Sequence, residues 1–281
     1  MLLAGGGTGN DSPAAVGLAR VASMAQENQP AGPAAAQPLA GKGAVVTGGS
    51  RGIGRAVVER LARDGAQVVF GYLSDARAAS EVERAVAAAG GKAHAVRADL
   101  ADARGVEKLF SEAELRLEGL DILVNNAADA HSPTLLADLT EDAYDRVMAV
   151  NAKAVFLAMR HAARHMRDGG RIINISTLNT VLPSAGLTAY VGSKGAVEQF
   201  TAVAARELGG RGITVNTVSP GATDTDPLRA TNTPAGLDRV VRMTPLGRLG
   251  TPADVADVIG FLAGPDGRWI TGQNLRASGG L

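Results

Sequence analysis

Cysteine is absent from all 281 residues, which excludes disulfides, thiol nucleophiles and thiolate metal sites and leaves the redox compartment open. Aromatic residues make up only 3%, so the core has to be built from Ala, Val, Leu and Ile. Neither sign of charge is in excess: 28 Lys and Arg offset 28 Asp and Glu, and no basic tract stands out. That argues against nucleic acid and anionic membrane surfaces as partners. No apolar stretch reaches the roughly 20 residues of a membrane-spanning helix. The start, Met1-Leu2-Leu3-Ala4-Gly5-Gly6-Gly7, lacks the positive n-region and long apolar run of a signal peptide, so a cytoplasmic protein is expected.

What is present suits one α/β domain: 46% of residues are apolar, and 281 residues can bury a substantial core. Residues 1–40 are rich in Ala, Gly, Pro and Gln without periodicity and read as a disordered N-terminal extension, with Met24 a candidate for the true start. From Lys42 onward, short Val/Ile-rich runs at 44–47, 67–72, 93–97, 122–125, 171–176, 213–218 and 273–277 predict strands. Helical patterns fall at 52–64, 75–89, 102–118, 140–166, 188–208 and 252–263. Several strands are almost continuously apolar, as in a sheet covered on both faces. The alternation predicts a single Rossmann-type domain over 41–281, a doubly wound parallel sheet with right-handed crossovers. Residues 224–246 lack strong periodicity and contain Pro227, Pro234 and Pro245, so a long lid-like loop is expected there.

Two features carry chemistry. The first is the turn Thr47-Gly48-Gly49-Ser50-Arg51-Gly52-Ile53-Gly54, which follows the first strand and opens the first helix. Glycines let the backbone approach a pyrophosphate, and the helix N-terminus supplies unpaired N–H groups. The second is Tyr190-Val191-Gly192-Ser193-Lys194. On a helix, i and i+4 share a face, so an ammonium sits beside a phenol; a nearby cation favours phenolate and is expected to lower the tyrosine pKa. Together they read as hydride transfer at a carbonyl or alcohol. Other readings exist. Gly48-Gly49-Ser50-Arg51-Gly52 also fits the G-x-S-x-G elbow of an α/β-hydrolase, with Ser50 as nucleophile, but the last histidine, His165, falls inside an expected helix. His161 and His165 are spaced like a metal pair, yet Arg160, Arg164 and Arg167 surround them, and no metal is expected.

Taken in order, residues 47–54, Asp99, Asn125-Asn126-Ala127, Asn151, the Tyr190/Lys194 pair, Pro220-Gly221, Pro245-Leu246-Gly247-Arg248 and Ile270-Thr271-Gly272-Gln273 form a specific set. From about residue 41 to 281 the chain resembles the short-chain dehydrogenase/reductase family, in its short single-domain, 3-oxoacyl-reductase-like branch. The resemblance implies a seven-stranded sheet ordered 3-2-1-4-5-6-7, with the ligand at the switch point. It implies Tyr190 as general acid or base, Lys194 as its partner and ribose ligand, and Asn151 as holder of a proton-relay water. The family's serine falls at Thr177, thirteen residues before Tyr190, which keeps the hydroxyl but adds a stiffening methyl; Ser176 is not assigned this role. Ala128 stands where the family usually has glycine.

For the cofactor the resemblance implies contacts from Gly48, Ser50, Arg51, Gly52, Ile53, Gly54, Ser74, Asp99, Leu100, Asn126, Ala127, Tyr190, Lys194, Pro220, Gly221, Thr223 and Thr225. The place at the end of the second strand where an acidic residue would bind the ribose hydroxyls of NAD(H) is read as Gly71, and Arg51 can pair with a phosphate, so NADP(H) is expected over NAD(H). Asp75, close by, opposes that reading. The substrate is expected to be a small-molecule ketone, aldehyde or secondary alcohol: a 3-oxoacyl thioester, a cyclic, aromatic or steroid ketone, or a sugar. Residues 129–131 and the 224–246 loop are expected to line its pocket. The family likeness further implies a homotetramer or homodimer through helices 140–166 and 188–208 and the tail 270–281. A catalytically silent nucleotide-binding protein is a further alternative, which the presence of Tyr190, Lys194 and Asn151 opposes.

Overall fold

Alternation within the apolar runs decides the layering. In the computed structural model, which describes residues 37–129 and 132–281, β1 (Gly43–Val46) and β4 (Leu120–Asn125) have no exposed position. Val45 points into one core and Val46 into the other, as the two-residue period of a strand requires. With β2 (Gln67–Tyr72), β3 (Lys92–Arg97), β5 (Met166–Ile175), β6 (Thr214–Pro220) and β7 (Asn274–Ala277) they form one seven-stranded sheet, ordered β3-β2-β1-β4-β5-β6-β7. Every pairing is parallel. The order reverses between β1 and β4, which opens a crevice at their carboxyl ends.

One face is covered by α1 (Gly52–Arg63), α2 (Ala76–Ala88) and α9 (Pro252–Ala263), through Val57, Leu61, Val82 and Ile259. The other carries α3 (Ala103–Glu114), α5 (Ala154–His165) and α6 (Thr188–Leu208), through Leu109, Ala158 and Val197. The expected helix 140–166 is interrupted: α4 (Glu141–Met148) runs through a π-helical turn, Ala149–Lys153, into α5, and β5 begins at Met166. The 224–246 segment is not an irregular loop. It holds α7 (Asp226–Thr231) and α8 (Pro234–Met243), because Pro227 and Pro234 fall in first turns, where a missing N–H costs nothing. Thr233 caps α8 by accepting from the Gly236 N–H at 3.2 Å.

Residues 37–40, within the expected extension, are part of the packed body: Leu39 is buried and donates its N–H to the Asp64 carbonyl at 2.9 Å. The remainder of that extension, Met24 included, lies outside the described residues, as do Ala130 and His131. Among the described residues no helix is long and apolar enough to cross a membrane. Leu39→Ala is expected to lower stability by about 2–3 kcal/mol; an unchanged urea midpoint would detach this residue from the core.

Candidate active site

The glycine turn is shaped by two constraints. Gly48 and Gly52 have φ of 69° and 54°, the left-handed region that glycine enters without strain. At Gly54 a Cβ would stand 2.0 Å from the Gly48 carbonyl oxygen, so only glycine lets α1 press against the loop. The start of α1 has no side-chain cap and no acidic residue in its first turn, which leaves its N–H donors and positive dipole end for an anion. Ser50 is half-buried in this turn, and Ile53 packs on the core beneath it. Asn126 braces the cradle: its amide donates to the carbonyls of Thr47 and Gly48, both at 3.0 Å. Thr47 in turn accepts from the N–H groups of Asn126 and Ala127. Asn126 therefore acts on the turn itself, at the point where the sheet order reverses.

At the adenosine end, β2 closes on Tyr72, as the run 67–72 predicted. The Gly71 carbonyl accepts from Gly49, and a Cβ there would lie 3.1 Å from Leu109, so residue 71 faces α3 and the sequence-based placement was one residue early. Neither residue is acidic. Asp75 caps α2 by accepting from Ala78 at 2.9 Å, which accounts for the nearby carboxylate. Ser74 is exposed just before it, and Arg51 is exposed with no carboxylate within ion-pair distance among the described residues. Asp99 is exposed and accepts from Ala101, whereas the Leu100 side chain is in the core, so only its main chain can face a ligand. At the far end, Pro220 is buried at the tip of β6 and Gly221 donates to the Ala277 carbonyl. Thr223 and Thr225 bond back along the chain, and a Cβ on Gly52 would meet the Thr225 methyl at 3.4 Å. The segment after β6 thus folds back onto the glycine turn.

Between these ends lies α6. Lys194 is almost fully buried, its Nζ donating to the Ile175 carbonyl at 2.8 Å and standing 5.9 Å from the centre of the Tyr190 ring. Burial pulls its pKa down to about 8. Burial also raises the phenol of Tyr190 above its ordinary value, with only the Thr177 hydroxyl opposing. The expected lowering of the phenol by Lys194 is therefore not found: desolvation dominates, and the ammonium faces a strand carbonyl. Ser176 donates to Glu198 at 2.6 Å, while Thr177, next along the chain, faces Tyr190. Asn151 sits in the π-turn, accepting from the Asp129 N–H at 2.7 Å and donating to the Asp129 carbonyl at 3.1 Å. Its side chain holds the loop after β4. Arg146 holds the Asp129 carboxylate at 2.9 Å.

One buried set went unread in the sequence. Asn125 donates to Asn174 at 2.8 Å, and Asn174 donates to Thr201 at 2.9 Å. Thr201 bonds the Val197 carbonyl and shares a hydrogen bond with Thr217 at 2.8 Å. This ladder ties β4, β5 and β6 to α6. Its signal was a polar residue inside otherwise apolar strands. The described histidines do not serve Ser50: His94 lies beside Glu83, and His161 stacks between Phe110 and His165.

This sheet order, with a glycine cradle at the reversal and a Tyr–Lys pair on α6, defines a nicotinamide-dependent oxidoreductase, and the chain belongs to the short-chain dehydrogenase/reductase family. Residues 48–281 match a family model described as enoyl-(acyl carrier protein) reductase. The chain is 44% identical over 248 residues to an uncharacterized oxidoreductase of Methylorubrum extorquens, covering 86% of this chain and 98% of that one. It is 39% identical to an NADPH-dependent aldehyde reductase-like chloroplastic protein of Arabidopsis thaliana, over 86% of this chain and 95% of the relative. The angucycline C-6 ketoreductase LanV with bound NADP superposes with a TM-score of 0.82 at 42% identity, covering 86% and 96% of the two chains.

Thr201→Val, which leaves the Asn174 amide short of an acceptor, is expected to cost about 1–3 kcal/mol, and Thr201→Ser well under that. Equal denaturant midpoints for the valine variant and the parent would show that the ladder is not needed.

Proposed function

We propose that the chain transfers hydride between NADP(H) and a neutral ketone or aldehyde, or the matching secondary alcohol, with Tyr190 as the acid–base group. The observation that carries this reading is geometric: a tyrosine one helical turn from a buried lysine whose Nζ is fixed on Ile175, the last residue of β5, with Thr177 next to that strand end. The cradle suits a dinucleotide: glycine where a Cβ would strike backbone, an uncapped helix start, no acid closing β2 and an exposed arginine at the turn.

When bound, the reduced nicotinamide supplies the hydride. The chain's own groups do the rest. Thr177 orients the carbonyl oxygen with its hydroxyl, and Tyr190 gives that oxygen its proton; in oxidation the direction reverses. Lys194, held by Ile175, keeps a positive charge beside the developing phenolate. Asn151 fixes the Asp129 loop through its side chain, and its main-chain carbonyl, in a π-turn of the kind that recurs at functional sites, is the group assigned to anchor a relay water.

Exposed apolar side chains on the loops beyond the carboxyl ends of the strands support an apolar substrate. Leu135, Leu136, Val181, Leu182 and Leu246 are exposed on the loops after β4, β5 and β6, and α8 turns Leu237, Val240 and Val241 inward to half-burial. The named ketoreductase relative acts on an angucycline, and others are described as hydroxynaphthalene reductase-like, which fits those side chains. Exposed Phe156 and Val203 on α5 and α6, and Trp269 near the tail, support assembly with further copies of the chain as a homodimer or homotetramer.

A carbonyl panel read by NADPH absorbance tests the assignment. Tyr190→Phe is expected to lower kcat at least ~100-fold and Thr177→Ala clearly, while Ser176→Ala leaves turnover within a few-fold. Full activity in the phenylalanine variant would end this reading. The pH profile has a defined sign. Lys194 loses its proton as pH rises through about 8, while the phenol stays protonated, so kcat/KM for reduction falls on the alkaline side from there. A profile flat through that pH would remove Lys194's charge from the mechanism.

A further inference from the structure

We propose that Arg97 is a second cation for the 2′-phosphate of NADP(H), acting with Arg51. This inference rests on the cofactor reading above. Arg97 is the last residue of edge strand β3 and pairs in register with Tyr72, the last residue of β2. Its Nε donates to the Leu73 carbonyl at 3.2 Å, which turns the guanidinium toward the β2–α2 connection. The side chain is exposed, and its Nη groups make no hydrogen bond within the protein among the described residues. Guanidinium offers five N–H donors in a planar fork, so one anchored N–H leaves the face suited to a phosphate.

The charges around it are already arranged. Arg55 and Arg77, on the neighbouring helices, are engaged by Glu59 and Glu81 one turn along. The carboxylates on the adjoining elements are engaged too. Asp75 caps α2, Asp99 accepts from Ala101, Asp102 caps α3 and pairs with Arg104, and Glu83 accepts from Ala95 beside His94. Arg51 and Arg97 are left without a carboxylate within 4.0 Å among the described residues. Arg51 follows β1 and Arg97 ends β3, the two strands that flank β2 in the sheet, and Ser74 follows the end of β2. A dianionic monoester there meets two charge-assisted donors instead of one. The competing reading is that the Nε bond only staples β3 to the β2–α2 turn. A staple would support both nicotinamide cofactors equally.

Binding of NADPH and NADH to the full chain, measured by fluorescence titration, separates the two. In Arg97→Gln the Kd for NADPH is expected to rise about tenfold, with that for NADH unchanged within about twofold. Competition by 2′,5′-ADP is expected to weaken in step, while competition by 5′-AMP does not. Arg97→Lys, which keeps the charge but not the Nε bond, is expected to retain part of the preference. Equal weakening of both cofactors, or no weakening of NADPH, overturns the proposal. A parent chain that binds NADH as tightly as NADPH overturns the cofactor reading instead, and this inference with it.

Discussion

A buried ammonium is expensive to desolvate, by several kcal/mol in a protein interior, and the bond from Lys194 to the Ile175 carbonyl offsets part of that cost, the rest showing as its lowered pKa. Sliding or rotating α6 would strand the charge, so the helix has one acceptable register on β5. The Asn174–Thr201–Thr217 bonds fix the same register two turns further on. Residues 190, 194, 197 and 201 lie on one face of the helix, so what anchors the lower turns aims the phenol at the top. Such a seam works because it is dry: partial loss leaves an unsatisfied group in low dielectric.

The opposite wall of the crevice is set by backbone, not by charge. Asn126 ties the loop after β4 to the loop after β1, and Asn151 ties the next residues to the π-turn of the α4–α5 helix. Both amides bond main-chain atoms, so the loops over the reversal point are held by the backbone they brace.

Much of this was legible from sequence because it is written locally. Strand alternation, the glycine turn and the Tyr190–Lys194 spacing each lie within a few residues; the βα rhythm pointed to a doubly wound parallel sheet, and the family resemblance supplied its strand order. What escaped depends on distance in space. Nothing in the run Val68–Tyr72 tells which residue at the strand end faces outward, so the place of the ribose-binding acid was read at Gly71, whose side facing α3 is closed by Leu109. The phenol's upward shift follows from burial that no neighbour in sequence reports. Pro227 and Pro234 read as breakers until their first-turn positions were seen. The Asn125–Asn174–Thr201 ladder joins residues 49 and 27 apart.

The widened turn at Ala149–Lys153 carries a consequence for how the chain can diverge. One surplus residue in a helix of 3.6 residues per turn offsets the two halves by about 100°. Arg146 on the first half and the core-facing Val155 and Ala158 on the second are aligned only with that offset. Removing a single codon there would regularise the helix and swing its leading half a quarter of the way round, carrying the Asp129 anchor with it. The segment should tolerate exchange of side chains far better than any change of length.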